Sequence, residues 1–207
     1  MRGYYFITDA ALSRAGNARD VAAAVAAGVR VVQYRQKPGH IRDLLAEARQ
    51  LRRLCRRTLF LVNDRVDIAL EVAADGVHLG QEDLPYREAR RLLGPDKIIG
   101  LTVHHVDEAL AAQEMGADYL GVSPIFSTTT KSDAGAPTGV ELVAEIRRRV
   151  AIPLIAIGGI TLANAPAVIR AGADAVCAIS AVVTAADVRA EIEKFQGLFR
   201  QCSHNIF

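Results

Sequence analysis

Short apolar runs alternate with longer amphipathic segments along the whole chain. The short runs are rich in Val, Ile and Leu, and each is followed by an Ala-, Leu-, Arg- and Glu-rich segment with helical spacing. This alternation is typical of repeated βα units around a parallel sheet. It predicts eight strands, over residues 4–8, 29–35, 59–63, 76–79, 98–102, 119–122, 153–157 and 175–179. It predicts eight helices, over residues 18–27, 40–57, 66–73, 86–93, 106–115, 140–150, 163–171 and 186–199.

The number of βα units indicates the architecture. Eight strands, each followed by a helix, predict a single-domain (β/α)8 TIM barrel over residues 1–207. Whether the tail of residues 201–207 is ordered is left open. The main alternative is a doubly wound open sheet, which usually carries a glycine-rich fingerprint after its first strand. Here that strand leads into Asp9-Ala10-Ala11 instead, so the barrel is favoured.

Composition excludes several classes of protein. The 207 residues are 51% hydrophobic and 23% charged, with a formal net charge of +2, which disfavours a disordered chain and a nucleic-acid partner bound through bulk charge. No apolar run approaches the roughly 18 residues of a membrane span, and no secretory signal is visible, so we expect no membrane partner and a cytoplasmic location. The three cysteines, Cys55, Cys177 and Cys202, are odd in number and widely spaced, with no C-x-x-C motif, so we expect them to be ordinary reduced thiols.

Arginine runs occur in two predicted helices, at Arg52-Arg53 with Arg56-Arg57 and at residues 147–149. They could form anion sites, but charge runs on amphipathic helices are usually the solvated face. We therefore expect no ligand there.

The functional site of a (β/α)8 barrel lies at the carboxyl ends of its strands. Strand two ends in Gln33, Arg35 and Lys37, which alternate with Val32 and Tyr34. Because the apolar alternates suit the helix-packed exterior, the polar trio is predicted to point into the barrel, toward an anionic or heteroaromatic ligand. The alternative is an internal salt-bridge network among barrel residues.

Acidic residues follow strands three and four. Asp64 comes directly after strand three, and Asp83 lies in the loop after strand four. Two carboxylates at neighbouring strand ends can share one Mg²⁺, which completes its octahedron with water and phosphate oxygens. The alternative is that each aspartate caps the helix that follows it.

Hydroxyl and glycine residues gather after strands six to eight. The loop of residues 123–135 carries six hydroxyl side chains around Lys131, as a phosphate-binding loop does, but it lacks a P-loop motif. Gly158 and Gly159 follow strand seven, and Ser180 follows Ile179 at the end of strand eight, where barrels often hold phosphate. The alternative for the loop is a solvent-exposed connection.

Six segments, in this order, carry a resemblance to a known family. They are Tyr5-Phe6-Ile7-Thr8-Asp9, Gln33-Tyr34-Arg35-Gln36-Lys37, Asn63-Asp64-Arg65, Gly76-Val77-His78-Leu79-Gly80-Gln81-Glu82-Asp83, Thr128-Thr129-Thr130-Lys131 and Ile157-Gly158-Gly159-Ile160. The chain resembles thiamine-phosphate synthase over nearly its whole length. The resemblance implies a transferase that joins 4-amino-5-hydroxymethyl-2-methylpyrimidine diphosphate to a thiazole phosphate by a dissociative substitution, releasing diphosphate, with Mg²⁺ as cofactor.

The resemblance also implies roles for individual residues. The pyrimidine diphosphate would be bound by Gln33, Arg35, Lys37, Asn63 and Thr102. Mg²⁺ would be bound by Asp64 and Asp83. The thiazole phosphate would be bound by Thr128, Thr129, Thr130, Gly159, Ile179 and Ser180. Catalysis would rest on Arg35, Lys37 and Lys131, with the lysines neutralising the departing diphosphate.

Three positions depart from the commonest family pattern. Gln36 stands where an acidic residue is frequent, Ser123 where glycine is usual, and Thr102 where serine is usual. None of these changes removes a charge that the reaction needs.

Three rival functions remain at this stage. A thiazole tautomerase has no need for a metal-bound diphosphate, so Asp64 and Asp83 argue against it; His104 or His105 could shuttle its proton. A barrel that only binds thiamine precursors is a second rival, and a phosphosugar isomerase is a third. The oligomeric state and the presence of a carboxylate on the thiazole stay open.

Overall fold

The fold is a closed barrel of eight parallel strands, seen in a computed structural model that describes residues 1–37, 39–128, 130 and 135–203, with the backbone only at 202 and 203. Each strand pairs with the next along the chain, and the eighth pairs with the first. The strands are β1 (Gly3–Ile7), β2 (Val31–Tyr34), β3 (Leu59–Asn63), β4 (Gly76–Leu79), β5 (Ile98–Val103), β6 (Tyr119–Val122), β7 (Leu154–Ile157) and β8 (Ala175–Cys177). The predicted (β/α)8 barrel is confirmed.

Helices surround the barrel and follow the strands in turn. In the described residues they are α1 (Asn17–Ala26), α2 (Ile41–Leu54), α3 (Val66–Glu71), α4 (Tyr86–Leu93), α5 (Val106–Met115), α6 (Gly139–Arg147), α7 (Ala165–Arg170), α8 (Ile179–Val183) and α9 (Val188–Ser203). Residues 201–203 of the tail continue α9, and residues 204–207 lie outside the described part. No helix of that part is both long and apolar enough to cross a membrane.

Strand periodicity separates two cores. Val32 and Tyr34 belong to the outer core between strands and helices. Alternate residues, among them Tyr5, Val31 and Tyr119, fill the barrel itself. Successive side chains of a strand point to opposite faces, so each strand contributes side chains to both cores.

Two glycines make room for rings inside the barrel. A Cβ at Gly100 on β5 would lie 2.0 Å from Cζ of Tyr119, and one at Gly121 on β6 would lie 2.9 Å from Cε1 of His78. These two positions therefore accept no larger side chain unless the rings move, and they permit two large aromatic side chains in a narrow barrel.

The predicted end of strand eight is wrong. β8 ends at Cys177, and Ile179 begins the short helix α8 rather than ending a strand. The predicted strand includes Ile179, and no helix is predicted between it and residue 186, so α8 was missed. Its backbone closes helically, with Val182 N–H donating to Ala178 O at 3.2 Å. Burial of Val182 and Val183 stabilises the helix despite weak intrinsic propensity.

Some arginines of the two runs act at the amino-terminal face of the barrel. Arg52 at the end of α2 pairs with Asp75, and Arg147 at the end of α6 pairs with Asp174. Their neighbours Arg53 and Arg148 are exposed. The expected solvated face is thus found for part of each run, while one arginine in each bridges neighbouring βα units.

Candidate active site

A cavity of about 360 Å³ opens at the carboxyl ends of the strands, where the sequence placed the site. Its walls combine basic, acidic, amide, hydroxyl and glycine residues from strands or loops around the barrel. The predicted site residues that line it are Gln33, Arg35, Lys37, Asn63, Asp64, Asp83, Thr102, Thr128, Thr130, Gly159, Ile179 and Ser180. Thr129 and Lys131 lie outside the described residues.

The basic side of the cavity comes from the end of β2 and the residues that follow. Gln33 is 1% exposed, and Arg35 follows the last strand residue, so the predicted inward face is confirmed although β2 is shorter than expected. The backbone of Arg35 exchanges two hydrogen bonds with Thr8 Oγ1, at 2.9 and 3.2 Å. Its guanidinium lies 3.7 Å from the buried carboxylate of Asp9, which orients it without a close bidentate contact.

The acidic side of the cavity is formed by two carboxylates. Burial is the main cause that raises the pKa of Asp64 to about 6, and a hydrogen bond and charge repulsion from Asp83 add to it, while Lys37 and Arg35 lower it. Asp83 also accepts a 2.6 Å hydrogen bond from the Gly80 backbone N–H. The two acids therefore face each other across a short gap, with the basic side near enough to act on them.

This donor set fits a magnesium ion. The pKa of Asp64 is raised mainly by burial and further by Asp83, and a divalent cation between the two carboxylates would favour their ionised forms. The described residues contain no cluster of three or more His, Cys, Asp or Glu side chains suited to a metal. Mg²⁺ commonly takes only one or two protein carboxylates and keeps positions for water and phosphate.

A buried hydrogen-bond chain runs from one wall of the cavity through the barrel to another wall. Gln33 Nε2 donates to Tyr5 Oη at 2.9 Å, and Tyr5 Oη lies 2.7 Å from Tyr119 Oη. Tyr119 Oη lies 2.9 Å from His78 Nδ1, and His78 Nε2 lies 2.8 Å from Thr102 Oγ1. Burial raises the pKa of both phenols well above the ordinary value, which keeps them neutral.

The hydroxyl side of the cavity comes from the loop after β6 and from the ends of β7 and β8. It continues into an adjoining recess of about 500 Å³. The recess is lined by Ser127, Thr128, Thr130, Gly159, Ile160, Thr161, Ser180, Ala181 and Thr184. A Cβ at Gly159 would lie 2.5 Å from Ser127 O, so this glycine lets the β6 loop approach β7 closely. Hydroxyls and nearby backbone groups are suited to bind phosphate oxygens.

Four residues of the site escaped prediction as functional groups. Asp9, Tyr5 and His78 stand in the segments that carried the resemblance, while Tyr119 stands in a predicted strand. A polar side chain at an inward strand position, as at His78, is the signal that could have revealed the chain. The pairing of two phenols across the barrel has no local sequence signal. His104 also lines the cavity, beside Glu108 at 3.4 Å.

The fold and the cavity define a class of protein, a (β/α)8 barrel whose active-site face offers paired carboxylates, cations and hydroxyls to anionic ligands. The family model described as thiamine monophosphate synthase matches residues 4–182, and the chain belongs to this family. A thiamine-phosphate synthase of Methanosarcina barkeri is 48% identical over 199 residues, covering 96% of this chain and 90% of that protein. One of Chloroflexus aurantiacus is 52% identical over 197 residues, covering 94% and 91%.

Solved structures agree with the family. A thiamine phosphate pyrophosphorylase of Pyrococcus furiosus superimposes with a TM-score of 0.88 at 40% identity, covering 96% of each chain. A GGGPS of Thermoplasma volcanium, at 17% identity and a TM-score of 0.71, shares the fold alone. The chain is a transferase of thiamine biosynthesis with thiamine-phosphate synthase activity.

Proposed function

We propose that the enzyme joins 4-amino-5-hydroxymethyl-2-methylpyrimidine diphosphate to a thiazole phosphate, carboxylated or not, through a dissociative substitution assisted by Mg²⁺. The bond between the pyrimidine methylene carbon and the diphosphate oxygen breaks first, and its electron pair leaves with diphosphate. The thiazole nitrogen then forms the new C–N bond to the resulting cation. Where the thiazole carries a carboxylate, CO₂ is lost after coupling, so that thiamine phosphate is the product in both cases. No protein nucleophile is needed.

The pyrimidine diphosphate is assigned to the half of the cavity built by β2 to β5. Gln33 and Thr102 carry polar groups suited to a heteroaromatic ring, and both are fixed by the buried hydrogen-bond chain. Arg35 and Lys37 supply the positive charge that a diphosphate needs. Asn63 adds a neutral amide to the lining of the same cavity.

Charge on the leaving group is the main barrier that the site has to lower. Mg²⁺ held by Asp64 and Asp83 would supply charge neutralisation of the diphosphate oxygens when bound. Arg35 and Lys37 act on the same charge, and the ion pair with Asp9 at 3.7 Å restrains the guanidinium of Arg35. We assign the same task to Lys131 on its place in the sequence alone.

The thiazole phosphate is assigned to the half built by the β6 loop, β7 and β8. Thr128, Thr130 and Ser180 line both the main cavity and the adjoining recess. A phosphate bound there leaves the thiazole ring to extend toward the pyrimidine, so both substrates would share one enclosed site. We assign Gly159 and Ile179, and Thr129 from the sequence, to the same half.

The single observation that carries the proposal is the meeting of Asp64, Asp83, Arg35 and Lys37 at one cavity. The test is a turnover assay with both substrates, with and without Mg²⁺, following thiamine phosphate and diphosphate together. We expect equal amounts of the two products, and their loss on chelation. Asp83→Ala is expected to lower kcat/KM by at least about 100-fold, because one carboxylate is lost from the cation site.

Asp67→Ala is the matched control for this assay. Asp67 lies on α3, is exposed, pairs with Arg65 and does not line the cavity, so its removal should leave turnover unchanged. Absence of product with every divalent metal would refute the proposed reaction. Attention would then turn to tautomerisation of the thiazole.

A further inference from the structure

The buried hydrogen-bond chain begins and ends at the cavity, but its middle lies beneath it. Gln33, His78 and Thr102 line the cavity, whereas Tyr5 and Tyr119 belong to the inner core and are 1% and 0% exposed. The His78 and Tyr119 rings stack at 5.5 Å between centroids, and Gly100 and Gly121 leave the space that both occupy. Two phenols buried beneath a ligand cavity avoid a desolvation cost only while both hydroxyls keep their hydrogen bonds, so the donor and acceptor roles along the chain depend on one another.

The direction of each hydrogen bond follows from the amide of Gln33. Its Nε2 donates to Tyr5 Oη, and either phenol could donate in the 2.7 Å contact between Tyr5 and Tyr119. Since a buried hydroxyl hydrogen needs an acceptor and the Gln33 Nε2 is a donor, the Tyr5 hydrogen is assigned to Tyr119 Oη. The Tyr119 hydrogen then goes to His78 Nδ1, the next partner at 2.9 Å. A ring nitrogen that accepts carries no hydrogen, so the neutral imidazole has its hydrogen on Nε2 and donates it to Thr102 Oγ1 at 2.8 Å.

Thr102 is where the chain reaches the ligand space again. Its Oγ1 accepts from His78 within the described residues, and its own hydrogen is left for an acceptor in the cavity. If the chain ran the other way, Thr102 would donate to His78 and present only a lone pair to the ligand. The same five residues could therefore select either a ligand donor or a ligand acceptor, and the Gln33 amide decides which.

We propose that Tyr5 and Tyr119 are positioning residues that fix the His78 tautomer and thereby make the Thr102 hydroxyl donate to an acceptor atom of the bound substrate. This inference rests on the proposed function, in which that acceptor is a ring nitrogen of the pyrimidine. Gln33, at the other end, keeps a fixed amide orientation for the same ring. The buried phenols thus set ligand polarity at two separate points of the cavity wall.

The polarity is measurable without any substrate. In the ligand-free protein with ¹⁵N-labelled histidine, we expect the His78 signals of an imidazole bearing hydrogen on Nε2 and none on Nδ1. The His78→Gln variant identifies these signals by their loss. A wild-type His78 with hydrogen on Nδ1 would overturn the proposal, whatever the enzyme turns over.

The kinetic test is a double-mutant cycle between Tyr119→Phe and Thr102→Val. Each single variant should raise KM for the pyrimidine diphosphate about tenfold, the effect of one lost hydrogen bond, while KM for the thiazole phosphate stays within about twofold. The double variant should show no more than the larger single effect, because both changes remove the same donated bond. Tyr5→Phe should repeat the effect of Tyr119→Phe in a smaller degree.

Tyr34→Phe is the matched control, because Tyr34 is equally buried but donates to Glu47 outside the barrel. It should leave both KM values unchanged. Additive effects in the cycle, or equal rises in the two KM values, would show a general loss of packing and contradict the positioning role. A wild type without turnover would refute the proposed function, and the histidine spectrum would still decide the polarity.

Discussion

Asp64 illustrates how one residue combines backbone and charge constraints. Its φ of 60° lies in the left-handed region, which Asp and Asn adopt more readily than other residues with a side chain. Its N–H donates to His78 O at 2.9 Å, so the chain turns out of β3 while still bonded to β4. The same turn leaves its carboxyl half-buried and facing Asp83, in a position where it favours its proton.

This carboxyl should make the metal-free protein less stable as pH rises. The pKa of Asp64 is about 6 in the folded protein against an ordinary value of 3.8, so the folded state holds the proton more tightly than the unfolded state. Its contribution to the free energy of unfolding is therefore largest below about pH 4, declines as pH rises to about 6, and levels off above it. Mg²⁺ should offset the loss, because it binds the ionised form.

The measurement is a set of unfolding curves from pH 4 to pH 7 in a chelator. Asp64→Asn keeps a residue that tolerates the left-handed backbone and removes the charge. We expect the variant to gain stability relative to wild type as pH rises through this range, and the gain to shrink with Mg²⁺. A constant difference at every pH would contradict the assigned pKa shift.

Single residues were predictable where their chemistry alternates along a strand or follows its end. Gln33, Asp64 and Asp83 were placed at the carboxyl end of the barrel in this way, and all three line the cavity. Tyr119 was not, since a tyrosine in an apolar strand reads as core, and only the closed barrel brings it to Tyr5 across 114 residues of sequence.

At the scale of elements, a repeated contact joins alternate βα units beneath the barrel. In each case an aspartate lies just before an even-numbered strand. Its carboxylate accepts a hydrogen bond from a backbone N–H near the start of the preceding odd-numbered strand. It also pairs with an arginine of the helix that precedes that odd-numbered strand. The pairs are Arg52 with Asp75, Arg90 with Asp118 and Arg147 with Asp174, at 3.2, 2.9 and 3.1 Å. The backbone N–H donors are those of Phe60, Ile99 and Leu154. Because these contacts lie at the face opposite the cavity, we assign them to stability.

Asp174→Ala should therefore destabilise the fold without changing catalysis directly. The substitution removes the carboxylate that accepts from Leu154 N–H and from Arg147 Nη1, at a cost of about 1–3 kcal/mol. Chemical unfolding measures this cost, and KM for both substrates should stay at the wild-type value.

Glu145→Ala is the control for Asp174→Ala. Glu145 pairs with Arg149 on the exposed surface of α6 at 3.5 Å and accepts no strand hydrogen bond, so its loss should cost less than about 0.5 kcal/mol. Equal costs for the two variants would show that the contact to β7 adds nothing beyond a surface ion pair.

The sequence pattern located most elements within a few residues and failed where two structures suit the same residues. β3, β4 and β6 begin and end where predicted, because a short β-branched run bounded by polar residues has one reading. Residues 179–183, in contrast, suit either a strand or a helix. The helix forms because its apolar side packs between the barrel and α9, and this tertiary contact cannot be predicted from the local sequence.

At the scale of the whole molecule, closure of the barrel limits how far its strands can move apart to accommodate a larger side chain inside. Eight strands pair all round, so a side chain inside has no open edge toward which to move. Gly100 is the tightest point against a side chain, since an added Cβ would overlap the Tyr119 ring on three of its atoms, at 2.0, 2.3 and 2.5 Å. An added methyl group would overpack this close-packed core, which typically costs about 1–3 kcal/mol.

Gly100→Ala should consequently lower the free energy of unfolding by about 3 kcal/mol. Adding Tyr119→Leu should recover part of this loss, because the smaller side chain vacates the space of the new methyl group, so the two changes are non-additive. Gly197→Ala in α9 should instead raise the free energy of unfolding. A Cβ there would approach only Arg200 Nη2, at 3.7 Å, among described atoms, and alanine in a helix gains up to about 1 kcal/mol over glycine. If Gly100→Ala were as harmless as Gly197→Ala, the barrel would have to widen at β5, and the stacking that positions His78 beneath the cavity would be lost with it.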